Sequence, residues 1–249
     1  MSNQKLLFTA GHDLGKIIHE ILDGDFHNVA HFPLEKFEPH VDPEESAEII
    51  SSATSFAFVV YGNPRNTRFF TEWAKENSVI SEFQNAVHLV PDDASARLLE
   101  SINLPAIRPR EHARPIDIME FMLRISREGK TLYPCPDGKA EEMPGLLEEL
   151  QLPVTEFPVC RERQLSSEEL ENLRAELEKA NIGSVLFHNR SSVTRTLTAF
   201  ESLDLTRLKV ISGSAGVTKI LIDSGTEPDY EANGTWLSIA EVVRESFSA

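Results

Sequence analysis

The segment FAFVVYGNPRNTRFF, Phe56 to Phe70, shows the unit from which the chain is built. Phe56–Tyr61 is a continuous apolar run, as expected for a strand that is buried on both faces of a parallel sheet. A polar loop follows, and Pro64–Lys75 then carries its aromatic residues on one side of a predicted helix. The order strand, loop, helix is typical of an α/β fold.

The same alternation continues on both sides of this segment. The predicted helices include Asp13–Leu22, Pro43–Ser52 with a proline in its first turn, and one that begins at Ser166, where Ser166 and Glu169 form a capping box. Short apolar runs separate the helices. Strict alternation of strands and helices predicts parallel sheets that are covered by helices.

The segment SVLFHNRSSVTRTL, Ser184 to Leu197, repeats the strand–loop–helix pattern of residues 56–70. A further strand and helix follow each copy, AVHLV with DDASARLL in the first half and LKVIS with AGVTKILI in the second. The matched order favours two copies of one α/β module. The alternative is that any α/β chain resembles itself to this extent.

The two copies are not consecutive in the sequence. Residues 1–34 have no complete module after them unless they pair with residues 165–249. We therefore expect a discontinuous first domain, 1–34 plus 165–249, and an inserted second domain, 36–162. Two extended connections, near Pro33–Pro39 and Arg161–Leu165, would join two flavodoxin-like three-layer domains around a deep cleft. Clefts at domain junctions are common ligand sites, so we expect the ligand there.

The composition argues against several classes of function. The 249 residues include 24 basic and 40 acidic side chains, a formal net charge of −16, which argues against binding to nucleic acid or to anionic membranes. No apolar run approaches the ~20 residues of a membrane helix, and no secretory signal peptide is expected. The two cysteines, Cys135 and Cys160, are too few for a disulfide framework and indicate reduced thiols in the cytoplasm.

The sequence lacks the usual catalytic and metal-binding motifs. It contains no P-loop, no GxGxxG and no GxSxG, and since no HExxH or similar ligand spacing is present, we expect no metal. The eight histidines are expected to be solvated or to cap helices. The acidic runs Glu141–Glu149 and Glu168–Glu178 are expected to be solvated helix faces.

Polar residues follow several of the predicted strands. Ligands of open α/β sheets bind at the carboxyl ends of the strands, so these residues are candidates for ligand binding. Simple helix capping is the alternative. The candidates are Thr9, Asn63, Arg65, Asn66, Asn189, Arg190, Ser191, Ser192, Ser212, Gly213, Ser214 and Thr218.

The order and spacing of these motifs resemble the uroporphyrinogen-III synthase family over nearly the whole chain. LLFTAGHD, Leu6 to Asp13, is similar to the family's first strand and turn, and the two echoed segments are similar to its strand–loop–helix segments. The stretch from Gly129 to Glu162 resembles a Gly-Lys strand, a helix, and a strand that ends in a Val-Tyr-Arg-like turn. VISGSAGVTKILIDSG, Val210 to Gly225, resembles the family's strand–helix–Gly segment.

The resemblance implies a two-lobed lyase of tetrapyrrole synthesis that acts on hydroxymethylbilane. The hydroxyl of ring A leaves, ring D attacks through its substituted α carbon to form a spiro intermediate, and ring D closes inverted with loss of water. The resemblance implies no cofactor, and catalysis by orientation of a reactive small-molecule substrate. We expect a monomer. Because this substrate is a polycarboxylate, we expect Arg65, Arg68, Arg190 and Arg195 to gather at its site and locally reverse the negative charge.

Two positions depart from the family pattern. Cys160 stands where the family has a tyrosine that is proposed to assist loss of the hydroxyl, and Ala10 replaces the arginine of the first turn. Cys160 is therefore the catalytic candidate. A family relative that keeps the fold without the activity is the alternative function. A bilobal small-molecule binding protein of periplasmic type is the third, and the expected lack of a signal peptide counts against it.

Overall fold

A computed structural model describes residues 4–12, 14, 18, 19, 22, 28–110, 113–125, 128–138 and 141–248. The chain forms two compact units. Unit 1 consists of Met1–Lys36 and Arg163–Ala249, and unit 2 consists of Phe37–Glu162. The predicted helix Asp13–Leu22 lies largely outside the described residues.

From Lys36 onwards strands and helices alternate, and the predicted α/β class with parallel sheets is confirmed. The strands are β1 (Lys5–Phe8), β2 (Val29–His31), β3 (Lys36–Pro39), β4 (Phe56–Val60), β5 (Val87–Leu89), β6 (Ala106–Ile107), β7 (Lys130–Pro136), β8 (Val154–Arg163), β9 (Ile182–Phe187), β10 (Lys209–Ser212) and β11 (Tyr230–Glu231). The helices are α1 (Pro43–Ser52), α2 (Pro64–Glu76), α3 (Asp93–Glu100), α4 (Pro115–Ile125), α5 (Glu142–Glu149), α6 (Ser167–Lys179), α7 (Arg190–Ala199), α8 (Ala215–Asp223) and α9 (Trp236–Ser248).

Unit 1 contains a sheet in the order β11-β10-β9-β1-β2, and its paired strands are parallel. The N-terminal strand β1 lies inside this sheet, with Leu7 opposite Ala30 of β2 on one side and Val185 of β9 on the other. Both faces are covered, because alternate residues of a strand point in opposite directions. Phe8 packs in a cluster with α9, whereas Leu7 packs in a cluster with α7 and α8.

Unit 2 contains a six-stranded sheet in the order β3-β8-β7-β4-β5-β6. The strand β4 shows why its sequence is a continuous apolar run. Val59 packs among residues of α1, α2 and α3, while Phe58 and Val60 pack on the opposite face against α4 and α5. Most of each segment expected as an extended connection is strand, because β3 and β8 are hydrogen-bonded neighbours at the edge of this sheet.

A cluster of ion pairs lies where the chain leaves unit 1 and returns to it. Lys36 Nζ and Arg163 Nη2 contact the same oxygen of Glu169, at 2.6 and 2.9 Å. Glu169 also accepts a hydrogen bond from Ser166 N and completes the predicted capping box of α6. Hydrogen bonds from Arg163 and Lys36 hold the pKa of Glu169 well below its usual value.

His88 is a buried histidine, contrary to the expectation that the histidines are solvated or cap helices. Its Nε2 lies 3.0 Å from the carbonyl oxygen of Phe83, which can only accept, so Nε2 carries the proton. Its Nδ1 then accepts a hydrogen bond from the hydroxyl of Tyr61 at 3.1 Å. Burial lowers the pKa of His88 to about 4, so the neutral ring is the native form.

No helix in the described residues is long and apolar enough to cross a bilayer.

The buried His88 predicts a pH dependence of stability. Its folded pKa lies below its unfolded value of 6.5, so the unfolded chain binds the proton more readily. The contribution of His88 to stability is therefore complete above pH 6.5 and is lost as the pH falls towards 4. Replacing His88 with Gln should remove about 2 kcal/mol of the wild-type decrease in unfolding free energy between pH 7 and pH 5.

Urea unfolding at several pH values measures this difference. His31, whose burial also lowers its pKa, is present in both proteins, so its contribution cancels. His40→Gln is the control, because the side chain of His40 is 38% exposed. Equal pH slopes for wild type and His88→Gln would contradict the prediction.

Candidate functional site

The loops at the carboxyl ends of the strands are the candidate site in each unit. Parallel strands bring these ends to one edge of their sheet. In unit 1, the loops that follow β1, β2, β9 and β10 form what we name the carboxyl edge of unit 1. In unit 2, the loops that follow β4 and β7 form the carboxyl edge of unit 2.

At the carboxyl edge of unit 2, Asn63 is the N-cap of α2. Its side chain accepts a hydrogen bond from Asn66 N at 2.9 Å, and Pro64 occupies the first turn. The hydroxyl of Thr67 donates to the carbonyl of Asn63 at 2.9 Å. These bonds satisfy backbone groups that a helix end leaves open. Asn63 therefore has the capping role that was the alternative to ligand binding.

Glu141 is the centre of a polar cluster at the same edge. Its carboxylate accepts a hydrogen bond from the Tyr133 hydroxyl at 2.5 Å and from Asn66 Nδ2 at 3.1 Å. Arg65 Nη2 lies 3.7 Å from the carboxylate, and the Arg65 guanidinium lies over the ring of Phe37 at 3.9 Å. The structure thus brings together two predicted binding residues, Arg65 and Asn66, around an acidic residue of the protein itself.

Glu141 differs from the rest of the run Glu141–Glu149, which was expected to be a solvated helix face. Its side chain is only 19% exposed, whereas Glu142, Glu148 and Glu149 are exposed as expected of a solvated helix face. Burial, followed by the charge of Glu141, raises the pKa of Tyr133 well above its usual value, so the phenol stays protonated and donates.

Gly62 lies directly against this cluster. A Cβ on Gly62 would be 2.3 Å from the Tyr133 hydroxyl and 2.8 Å from a carboxylate oxygen of Glu141. Glycine itself is exposed here. The Tyr133 hydroxyl and the Glu141 carboxylate therefore fit at this position only because residue 62 has no side chain.

Both cysteines lie in the core rather than in this polar cluster. Cys160 is 0% exposed and packs in the cluster of α1, α2 and α3 with Trp73 and Phe157. Cys135 packs on the other face of the sheet, and burial raises its pKa to about 12. Cys135 is therefore a neutral thiol at neutral pH, and a thiol is a poor nucleophile.

At the carboxyl edge of unit 1, Thr9 is bound to Thr196 of α7. Their hydroxyl oxygens are 2.8 Å apart, and both residues are buried. Thr9 follows β1, so this bond fastens the end of the central strand to the helix that covers it. The hydroxyl of Thr9 is thus engaged within the protein.

A buried carboxylate also lies at this edge. Glu35 is 6% exposed, and its Oε1 accepts a hydrogen bond from Arg195 Nη1 at 2.5 Å. His188 Nε2 lies 3.9 Å from the same oxygen. A buried charge needs a partner of opposite charge, which Arg195 supplies. Glu35 was not among the candidates from sequence.

The loop after β9 repeats the capping seen after β4. The Asn189 side chain accepts a hydrogen bond from Ser192 N at 2.8 Å, and Ser192 Oγ donates to the carbonyl of Asn189. Arg190 and Ser191 are exposed in the first turn of α7. Arg190 forms no ion pair with any described residue, and its guanidinium lies against Gly216 in the first turn of α8.

The loop after β10 is closed by its own hydrogen bonds. Thr218 Oγ1 donates to Ser212 Oγ at 2.8 Å, and Ser212 Oγ donates to the carbonyl of Ser214 at 2.9 Å. Gly213 N donates to the carbonyl of Phe187, and a Cβ on Gly213 would be 2.8 Å from the carbonyl oxygen of His188. Gly213 is therefore required by the close approach of β9 and β10.

An aromatic group borders the same edge. The His188 ring stacks on Trp236 with centroids 6.0 Å apart, and Phe8 contacts both rings edge-on. His31 packs against Phe8, and its Nε2 lies 2.8 Å from the carbonyl oxygen of Ala10, which can only accept, so Nε2 carries a proton. The side chain of His188 is 3% exposed, which again differs from the solvated histidine that was expected.

Three of the four arginines that were expected to reverse the local charge lie beside carboxylates of the chain itself. Arg65, Arg68 and Arg195 each face a carboxylate, namely Glu141, Glu72 and Glu35. These carboxylates offset the positive charge. Only Arg190 among the four is exposed without an ion pair to a described residue.

Comparison with known proteins identifies one family. The family model described as uroporphyrinogen-III synthase HemD matches residues 17–235. Uroporphyrinogen-III synthetase from Helicobacter pylori has a similar structure, with a TM-score of 0.61, 16% identity, and coverage of 88% of this chain and 93% of that chain. A mutant uroporphyrinogen III synthase from the extremely thermophilic bacterium Thermus thermophilus gives a TM-score of 0.56 and 15% identity, with 98% of each chain covered. No curated protein sequence matches the chain.

The polar cluster predicts a strong effect of a methyl group at position 62. Gly62→Ala should lower the unfolding free energy by about 1–3 kcal/mol, because the new Cβ would displace the buried Tyr133 hydroxyl or the Glu141 carboxylate. Gly145→Ala is the matched control, since Gly145 is an exposed helical glycine with open space around it.

Gly145→Ala should instead raise the unfolding free energy by about 0.5–1 kcal/mol, because alanine loses less backbone entropy in a helix. Urea unfolding of both variants gives the comparison. A neutral or stabilising Gly62→Ala would show that the cluster tolerates the methyl group and would contradict the prediction.

Proposed function

The chain belongs to the uroporphyrinogen-III synthase family, and we propose that it converts hydroxymethylbilane to uroporphyrinogen III. The observation that carries this proposal is the extent of the family match, residues 17–235, which takes in most of unit 1 and all of unit 2. A shared fold alone would not support an activity, since one fold serves many functions.

The reaction needs orientation more than it needs a nucleophile. Ring A loses its hydroxyl, ring D attacks through its substituted carbon, and the spiro intermediate opens and closes again with ring D inverted. One molecule of water is lost and no electrons are gained or lost overall. A protein that holds one conformation of the linear tetrapyrrole favours this closure over the direct one.

The carboxyl edges offer groups that suit a polycarboxylate. Helix N-termini favour anions, and α2, α7 and α8 begin at these edges. Arg190 and Ser191 are exposed at the start of α7 and are our strongest candidates for contact with substrate in unit 1. Arg65 is the corresponding candidate in unit 2. Asn63, Asn189 and Ser192 act in the proposal by fixing these helix starts.

A family relative without the activity is the second candidate function. Two observations favour it. Cys160 replaces the family's tyrosine and is 0% exposed, and Ala10 replaces the family's arginine and is also 0% exposed. Neither side chain is placed to contact a ligand in solvent.

We further propose that the protein is a monomer and that it works in the reducing cytoplasm. The two free cysteines are consistent with that location.

Product analysis with freshly prepared hydroxymethylbilane tests the proposal. The synthase should yield uroporphyrinogen III in excess of the symmetric isomer that forms without enzyme. The isomers are separated after oxidation to the porphyrins. If the isomer ratio equals that of the protein-free reaction, the chain is a relative without the activity.

The burial of Cys160 predicts that its thiol is dispensable for catalysis. Cys160→Ala should keep the product ratio and a turnover within about threefold of wild type, while the small cavity lowers stability by about 1 kcal/mol. Cys135→Ala is the matched control, because Cys135 is also buried and lies in the other core cluster of unit 2.

Turnover and thermal unfolding of both variants decide the point. A loss of turnover of about a hundredfold in Cys160→Ala alone, with unchanged stability, would make Cys160 the catalytic group after all. Cys160→Tyr is a poor test, because a phenol ring would have to enter a core that Phe157 and Trp73 already fill.

A further inference from the structure

Glu141 makes an unusual choice of hydrogen-bond partners. It occupies the N-cap position of α5, where a side chain commonly binds the open backbone N–H groups of its own helix, yet it makes no such bond. Pro144 explains part of this, because it is the third residue of the helix and has no N–H to offer. The carboxylate turns instead to groups on β7 and α2.

These groups form a pocket that is shaped for a carboxylate. The Tyr133 hydroxyl and Asn66 Nδ2 donate to it at 2.5 and 3.1 Å. Both donors belong to residues that are almost fully buried, Tyr133 at 2% and Asn66 at 0% exposure, so their positions are fixed by packing. Arg65 supplies a positive charge at the margin, 3.7 Å from the carboxylate.

The pocket is close to solvent. Gly62 is exposed, and the space that its missing Cβ would occupy adjoins both the Tyr133 hydroxyl and the carboxylate of Glu141. The side chains of Arg65 and Glu141 retain 14% and 19% exposure. A carboxylate that arrives from solvent can therefore reach the donors if Glu141 moves aside.

The geometry at Arg65 is incomplete. Its nearest approach to Glu141 is longer than a hydrogen bond, and its guanidinium instead lies on the Phe37 ring at 3.9 Å. Arginine binds a carboxylate best through two parallel N–H donors. Glu141, tethered to its helix, does not use that arrangement, which a ligand carboxylate free of the chain could adopt.

We propose that this is a binding pocket for one carboxylate of the substrate, and that Glu141 fills it as an internal substitute until the substrate carboxylate replaces it. The inference rests on the proposed function for the identity of the ligand. The displaced Glu141 would remain at the N-terminus of α5, where the helix dipole favours a negative charge.

Competition by Glu141 has a measurable consequence. A protein whose pocket is occupied by its own side chain binds the ligand more weakly, in proportion to the fraction of time that the pocket is open. Removing the competitor should therefore improve binding, whereas removing a group that contacts or positions the substrate should weaken it.

Steady-state kinetics with hydroxymethylbilane test this consequence. Glu141→Gln and Glu141→Ala should lower the KM by about threefold or more, with kcat little changed. Glu142→Ala is the matched control, because Glu142 is the next residue, is exposed, and lies in the first turn of the same helix. A KM that is unchanged or raised, or a decrease in kcat alone, would overturn the proposal.

A second measurement does not depend on the activity. In Glu141→Ala the donors Tyr133, Asn66 and Arg65 remain around an open space, so sodium acetate should raise the Tm of this variant relative to sodium chloride at equal ionic strength. This increase should exceed that of wild type and of Glu142→Ala, in which acetate acts only through its general exclusion from protein surfaces.

The two measurements separate the two possible failures. If wild type makes no uroporphyrinogen III but acetate stabilises Glu141→Ala, the proposed function is wrong and the carboxylate pocket stands. If acetate stabilises Glu141→Ala no more than wild type, while the variant is folded by circular dichroism, the pocket does not accept a free carboxylate and the proposal is wrong.

Discussion

The parallel pairing of β1 with β9 is the constraint on which the structure depends. It places a strand from the start of the chain inside a sheet whose other members come mostly from the end of the chain. Unit 1 is consequently discontinuous in sequence, and the intervening residues Phe37–Glu162 form a separate unit. The same pairing brings Thr9 to Thr196 and Glu35 to Arg195, contacts between residues that are far apart in sequence. Long-range parallel pairing costs chain entropy, which the buried faces of β1 must offset.

Both carboxyl edges contain a carboxylate supplied by the chain, but the ion pair that each carboxylate forms is closer in unit 1 than in unit 2. In unit 1, Arg195 donates a hydrogen bond directly to Glu35 at 2.5 Å, and Glu35 is only 6% exposed. In unit 2 Glu141 binds neutral donors closely and its cation only at 3.7 Å. Breaking the first would leave a buried charge without its cation, which is costly. The cluster around Glu141 can exchange one carboxylate for another, because its neutral donors and its cation stay in place.

Local sequence patterns were enough to predict most of the fold and some of the site. The apolar run before Gly62 and the capping box at Ser166 act within a few residues, and the structure has them as expected. The asparagines at the starts of α2 and α7 take the capping role that was the alternative to ligand binding. Glu35 and Tyr133 were missed because their roles depend on partners brought together by the fold. Glu141 was misread because it begins an acidic run, although Pro144 at the third helical position was a sign that it would not cap its own helix.

The paired arginines change how so acidic a protein could bind a polycarboxylate. With a net charge of −16, attraction at long range is absent, and salt screens interactions beyond about 8 Å. A pocket that already holds Glu141 has nearly the same charge before and after a ligand carboxylate replaces it. Selectivity then depends on geometry, since the ligand must use the Tyr133 hydroxyl, the Asn66 amide and the Arg65 guanidinium better than the tethered side chain does. Simple anions such as chloride lack the two oxygens that this donor set requires, so they cannot compete on charge alone.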